Sequence, residues 1–414
     1  MRLTPALLAR ASAALAAMLE FSRPADEVLS LFFRRERDLG QTERAFIAEA
    51  AFAVLRRKRS LEAAAGSAEP PALLAAALLQ VFGYSLRALE GLVERELAER
   101  VRRFNAADMP LAVRADLPDW LWERLAAEHG NEEALRIAQG LLNPAPLDLR
   151  VNLARTDREA VVAELSRDGI EAAPTAFSPA GIRVAGKPPI NRHRLFREGL
   201  IEVQDEGSQL LSWLVAPRRG EMVADYCAGA GGKTLALAML MRASGRLYAI
   251  DVSARRLAAL TPRAARAGVT SIHRLALESD NDPRVKRLAG KMDRVLVDAP
   301  CSGFGTLRRN PDLKWRHGAE AIAELGAKQR RILESAAKLV KRGGRLVYAT
   351  CSILRKENDA IVDAFLAAQS DFQPLSCKAI LDAQRIALEA GERLRLWPHV
   401  HGTDGFFAAV FERR

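Results

Sequence analysis

Only four cysteines occur in 414 residues, at positions 227, 301, 351 and 377, and no two of them form a Cys-x-x-Cys pair. That spacing excludes a zinc ribbon and gives no support to a disulfide scaffold. Free thiols suit a reducing, cytoplasmic compartment, which is the location expected here. No apolar run reaches the ~20 residues a membrane-spanning helix needs, so no membrane partner is expected. The Ala/Leu-rich start, Leu3 to Leu19, is interrupted by Arg10, and Leu3, Leu7, Leu15 and Met18 recur at helical spacing. It reads as an amphipathic first helix rather than a signal peptide. Internal repeats and long low-complexity tracts are also missing. His399 and His401 have no apparent third ligand, so they read as structural and no metal is expected.

What is present is ordinary in bulk: 49% hydrophobic and 27% charged residues, in a chain long enough for two or three domains. The formal charge of +11 fits either a basic surface or a polyanionic partner, of which nucleic acid is the commonest. Residues 1–143 read as nearly all helix. Ser22-Arg23-Pro24 opens one helix, and Gln41 to Leu55 places Phe46, Ile47, Ala50, Ala51, Val54 and Leu55 on one face. The basic clusters Arg34-Arg35 and Arg56-Arg57-Lys58-Arg59 are either cations at helix carboxyl ends or RNA contacts. Asn143-Pro144-Ala145-Pro146 marks a domain boundary. A small α+β module follows over 144–205, with strands at Leu147–Leu153 and Ile182–Val184 and a capped helix from Thr156 to Leu165. It could be a nucleic-acid platform, although it lacks an aromatic stacking pattern.

Over 206–414 strands and helices alternate. Met222–Ala224, Arg246–Ile250, Arg294–Val297 and Arg345–Ala349 are the strand candidates, and a helix over Ala319–Lys341 ends at Gly343-Gly344. Such alternation predicts an α/β, mostly parallel, doubly wound sheet with its site beyond the carboxyl ends of the strands. Asp225-Tyr226-Cys227-Ala228-Gly229-Ala230-Gly231-Gly232-Lys233-Thr234 is a strand, a glycine-rich turn and a helix start. Glycines let the backbone pass close to a ligand, and the N–H groups of the helix start can hold polar groups. Gly-Gly-Lys-Thr resembles a P-loop, but Cys227 stands where its first glycine belongs, so a nucleoside cofactor is the better reading. Asp251, at the next strand end, is placed to accept ribose hydroxyls.

Cys301 lies in Val-Asp-Ala-Pro-Cys-Ser-Gly (297–303) and Cys351 in Tyr-Ala-Thr-Cys-Ser (348–352). Pro300 stiffens the first turn, and Asp298 sits where it meets the cofactor or a substrate base. A buried cysteine is usually inert packing, but polar, glycine-flanked settings favour chemistry for both. Cys227 reads as a backbone element of its loop and Cys377 as structural. Arg308–Arg316 mixes cations with Trp315 and reads as phosphate contacts plus stacking. Asp404-Gly405 reads as a hairpin turn.

The stretches Asp225–Thr234, Asp298–Arg316, Tyr348–Asn358 and Pro398–Phe407 resemble those of the RsmB/Sun-type RNA 5-methylcytosine methyltransferases. The resemblance implies a class I S-adenosylmethionine (SAM) methyltransferase fold of Rossmann-like type. It implies Cys351 as the nucleophile, Cys301 as the thiol that assists release, and Asp298 as a hydrogen-bond partner of the base. It also implies SAM contacts from Cys227, Ala228, Gly229, Ala230, Gly231, Gly232, Lys233, Asp251 and Asp298. A thiolate added to carbon 6 of cytosine makes carbon 5 nucleophilic, and a base must later remove the carbon-5 proton. Cations such as Lys356 or Arg308-Arg309 are candidates for lowering the thiol pKa. The adenine-side acid of the family is missing near Leu277, with Glu278 and Asp280 as substitutes. The helical third resembles, more weakly, an antitermination-factor-type RNA-binding domain. That points to small-subunit ribosomal RNA as partner, with transfer RNA, or an RNA-binding assembly factor with dispensable catalysis, as alternatives. No obligate protein partner is inferred.

Overall fold

Thr4 starts the first helix, Pro5–Leu19: its hydroxyl accepts the Leu7 N–H at 3.2 Å, and proline occupies the first turn. Leu7, Leu8, Ala11, Ala14, Leu15 and Met18 form the buried face that the spacing predicts. The computed structural model describes residues 3–279 and 282–414. They divide into two units, one of Met1–Pro144 with Thr306–Ala319, the other of Ala145–Gly305 with Glu320–Arg414. Among the described residues no helix is long and apolar enough to cross a membrane.

The first unit is helical, with Leu15, Ile47, Leu55, Leu73 and Leu78 fully buried in its core. Helix Ala25–Arg35 has no cap from Ser22. Its first N–H is instead accepted by Asp312 Oδ2 at 3.3 Å, from a residue 287 positions away. Most of the 308–316 segment departs from the RNA-facing reading, with Asn310 left exposed. Arg308, Asp312 and Lys314 are buried, the Trp315 indole donates to Leu55 O at 2.8 Å, and Lys314 Nζ donates to Arg56 O at 2.8 Å. Lys58 and Lys314 lie over the Trp315 ring at 5.3 and 5.0 Å. Burial pushes the Lys314 amine down to about 7, against the pull of Asp116. An indole carries large apolar area and one donor, and here both are satisfied by helix ends rather than by a base. Arg56, Lys58 and Arg59 are likewise committed within the unit: Arg56 donates to Phe52 O and Arg308 O, Lys58 pairs with Glu62, and Arg59 pairs with Asp119.

In the second unit the small module is a four-stranded antiparallel sheet. Its strands are β1 (Leu147–Val151), β2 (Ala172–Pro174), β3 (Gly181–Val184) and β4 (Ile201–Val203), in the order β2-β3-β1-β4. The larger sheet has eight strands: β5 (Met222–Tyr226), β6 (Arg246–Asp251), β7 (Ile272–Ala276), β8 (Met292–Asp298), β9 (Val340–Thr350), β10 (Phe372–Leu375), β11 (Leu394–Leu396) and β12 (Phe406–Arg413). The order is β10-β12-β9-β8-β5-β6-β7, with β11 beside β12. β5 to β9 are parallel and β12 lies antiparallel on β9. From β5 the chain winds first toward β6 and β7, then returns to β8 and β9 on the other side. The switch between β8 and β5 opens a crevice at the strand ends.

Two boundaries differ from expectation. The helix from Ala319 stops at Ala337, and β9 already begins at Val340, running through Gly343-Gly344. Val340 is fully buried and pairs with Met292, and a Cβ on Gly344 would meet Asp293 O at 3.0 Å. The glycines therefore admit an irregularity in the β8–β9 ladder rather than ending a helix. Asp404-Gly405 is no tight hairpin turn: β11 and β12 are joined through a short helix, Pro398–His401. Gly405 instead donates its N–H to Gly305 O at 2.8 Å, and a Cβ there would stand 2.8 Å from Gly305 Cα. Only glycine allows that approach.

Candidate active site

β5 ends at Tyr226 and the chain turns sharply. Cys227 takes φ +76°, a left-handed conformation that a side chain disfavours, and the N–H groups of Cys227 and Ala228 both donate to Ile250 O at 2.9 Å. Gly229 then donates its N–H to Asp251 Oδ2 at 2.7 Å, while Asp251 Oδ1 accepts the Ser253 N–H at 2.8 Å. Gly231 has φ +84°, and a Cβ on it would lie 2.2 Å from Leu260. Thus Gly229 and Gly231 are required by geometry, and Asp251 fastens the loop with lone pairs to spare. Beneath it, Thr234 Oγ1 donates to the buried Asp225 at 2.6 Å. That hydroxyl is committed inward, unlike the metal-binding hydroxyl of a P-loop. Burial pushes the Asp225 carboxyl up to about 7.

The small module braces the same loop. Arg150, buried in β1, donates to Gly232 O at 2.8 Å and to Gln204. Arg263 donates to Ala230 O at 2.7 Å and is itself held by Glu202 of β4 at 3.0 Å.

Lys233, read from sequence as part of the cofactor loop, places its ammonium 2.7 Å from Asp298 Oδ2 at the end of β8. Burial opposes its charge, but the Asp298 carboxylate outweighs this and holds the amine above its ordinary value; Cys351 adds to the effect. Lys233 is therefore a cation that interacts with Cys351. Lys356 is exposed, and Arg308 is buried with the 308–316 segment of the first unit.

Cys301 and Cys351 leave the neighbouring strands β8 and β9, and their Sγ atoms lie 3.4 Å apart. The hydrogen bond with Cys351 pushes the Cys301 thiol well above its usual range, and burial and the charges of Cys351 and Glu357 add to this. Burial also raises Cys227. Cys377 is fully buried against Ala408 O, in the packing role expected of it.

A cavity of about 270 Å³ joins these groups. Asp251, Asp298, Cys301 and Cys351 line its polar side; Ile250, Val252, Leu277 and Pro300 supply apolar walls. Leu277 thus lines the wall where the family resemblance implies an acid. Glu278 is exposed, with its N–H donated to Asp282 at 3.0 Å, and Asp280 lies outside the described residues. Lys328 also lines the cavity, from helix Ala319–Ala337, and no motif signalled it. The arrangement gathers two carboxylates, an apolar wall and two adjacent thiols around one cavity, groups that can hold a ligand with polar and apolar parts beside a nucleophile.

Residues 212–412 match the family described as 16S rRNA methyltransferase RsmB/F, and residues 117–191 match the RsmF/B-like ferredoxin-like domain. A relative from Bacillus subtilis (strain 168), named as a probable ribosomal RNA small subunit methyltransferase B, is 34% identical over 79% of this chain and 73% of its own length. Among solved structures, that of PH0851 is 26% identical with a TM-score of 0.81 and full coverage of both chains. A methyltransferase homologue from Pyrococcus horikoshii is 28% identical with a TM-score of 0.64, covering 75% of this chain and all of its own.

Proposed function

The chain belongs to the RsmB/F family of 16S rRNA methyltransferases, and from that premise we propose that it methylates carbon 5 of a cytosine in small-subunit ribosomal RNA, using SAM and a transient bond between Cys351 and carbon 6. The observation that carries this reading is the pair of thiols 3.4 Å apart, both lining the cavity that Asp251 and Asp298 also line. The residues fit SAM: Asp251 has carboxylate lone pairs for ribose hydroxyls, Ile250, Val252 and Leu277 offer apolar side chains for a purine, and the Asp298 carboxylate in the same lining would suit a cationic ligand. When bound, SAM supplies the methyl group as an electrophile.

The protein's own work is to make carbon 5 a nucleophile. The Cys351 thiolate adds to carbon 6, turning the ring into an enamine. Asp298, kept in place by Lys233, hydrogen-bonds the ring so that charge building on its nitrogen is stabilised. After transfer, a base takes the carbon-5 proton, the carbon 5–carbon 6 double bond re-forms, and Cys351 leaves as thiolate; Cys301 serves this release. The base must be unstacked to reach the thiols. The helical unit serves as an RNA-binding domain, with the exposed Arg34, Arg35, Arg102 and Arg103 as phosphate contacts.

Arg150→Ala should raise the SAM dissociation constant about tenfold, roughly 1.4 kcal/mol, because a loop carbonyl loses a charged donor. Calorimetric titration reads this directly, and unchanged affinity would remove the module's bracing role. The function itself is tested by bisulfite sequencing of RNA from a strain lacking the gene. One cytosine of the small-subunit RNA should lose its 5-methyl signal. A loss confined to transfer RNA would move the substrate, and no loss would favour a non-catalytic assembly factor.

A further inference from the structure

Glu357 is fully buried, and its carboxylate receives four donors. Oε1 accepts the Ser302 backbone N–H at 2.8 Å and Gln329 Nε2 at 3.0 Å. Oε2 accepts the Ser302 hydroxyl at 2.6 Å and the Ser352 hydroxyl. Ser302 follows Cys301 and Ser352 follows Cys351, so one carboxylate ties together the two turns that carry the thiols. The two hydroxyls are themselves 3.2 Å apart. Gln329 also donates to Pro300 O at 3.0 Å, which fixes the residue before Cys301. The Glu357 carbonyl in turn accepts the Tyr348 hydroxyl at 2.7 Å, anchoring the clamp to β9. Glu357 does not line the cavity, so it acts through its neighbours.

Burying a carboxylate costs several kcal/mol unless its oxygens are hydrogen-bonded, and an apolar side chain would fill the space without that cost. A carboxylate does what an apolar group cannot, because it accepts from both turns at once. We infer that Glu357 is the positioning residue of the two-thiol reaction, holding Cys301 and Cys351 at the separation at which one bonds the base while the other serves release. The inference rests on the proposed methyl transfer. The Glu357 charge also adds to the pressure that keeps Cys301 protonated.

The test compares wild type, Glu357→Ala and Glu357→Gln in two assays. In single-turnover methylation of RNA the alanine variant should slow about 100-fold, the scale expected when reacting groups shift by an ångström. Its SAM affinity should stay at the wild-type value. A carboxamide can keep all four contacts, since the two serine hydroxyls can rotate to accept from its amide group. Glutamine should therefore restore most of the rate. The second assay needs no substrate. Diamide takes two electrons and two protons from the thiols to leave a Cys301–Cys351 disulfide, and pairing in the alanine variant should slow about tenfold.

Wild-type rates in a folded Glu357→Ala protein would overturn the inference, as would a glutamine variant as slow as alanine. If the alanine variant does not fold, the Ser302→Ala/Ser352→Ala double variant decides, with a wild-type methylation rate counting against the clamp. Should wild type make no 5-methylcytosine, the proposed function fails. The diamide assay still reads the clamp, and unaltered pairing in Glu357→Ala would sink it.

Discussion

Replacing Cys351 by alanine should abolish methyl transfer, by about four orders of magnitude or more, while leaving SAM affinity within about twofold. Carbon 5 of cytosine is a poor nucleophile, and none of the hydrogen-bonding groups around it supplies the electron pair that addition at carbon 6 provides. Lys233, Asp298 and the glycine loop remain in place in such a variant, because the backbone carbonyl of residue 351 still accepts the Gly305 N–H at 2.8 Å and the lost thiol contacts only Cys301 Sγ and the edge of the core. Binding and chemistry should therefore separate. Incorporation of labelled methyl into RNA, measured beside SAM titration, reads both. Substantial turnover in the variant would transfer the nucleophile's role to Cys301, the only other thiol lining the cavity outside the glycine loop.

The parts of this site legible in sequence are those where the backbone restricts the residue type. A turn with φ +56° and +84° requires glycine at 229 and 231, and a loop fastened through two N–H groups requires an acid at 251. Strand and helix alternation likewise carried the doubly wound sheet, because it reflects burial along each element. Side-chain-to-backbone bonds across long separations left no such trace. Asp312 capping a helix at Ala25, and Trp315 donating to Leu55, belong to a segment whose local pattern of cations and one aromatic is equally that of an RNA-facing loop. Glu357 sat in view beside the second thiol, but nothing local tells a buried clamp from a solvated carboxylate. Leu339-Val340 suits a helix or a buried strand, so the pattern carries the helix on to Lys341, and only pairing with Met292 decides for the strand.

The two thiols are distinguished by their surroundings, and the distinction gives the second large effect. Cys301 is held well above the usual thiol range, first by its hydrogen bond with Cys351, then by burial and by the charges of Cys351 and Glu357. At neutral pH it is therefore a protonated thiol, a poor nucleophile. Once Cys351 is bonded to carbon 6 it carries no charge and no longer accepts that hydrogen bond. On the proposed mechanism the largest influence raising Cys301 is then gone and its pKa falls, against the continuing pull of burial and Glu357, so that the thiol can pass its proton to solvent and act as the base for the carbon-5 proton. Cys301→Ala removes that base and one hydrogen-bond partner of Cys351, but leaves the attacking thiol itself in place. Turnover should fall about 100-fold or more, and the enzyme should accumulate as a covalent RNA adduct, seen as a shifted band that survives denaturing electrophoresis. The band should vanish in the Cys301→Ala/Cys351→Ala double variant. Raising the pH should not release the adduct in Cys301→Ala, since the missing group cannot be deprotonated, whereas simple hydroxide-assisted elimination would clear it. Normal turnover with no shifted band would reject the release role and leave Cys301 as a packing residue beside the nucleophile.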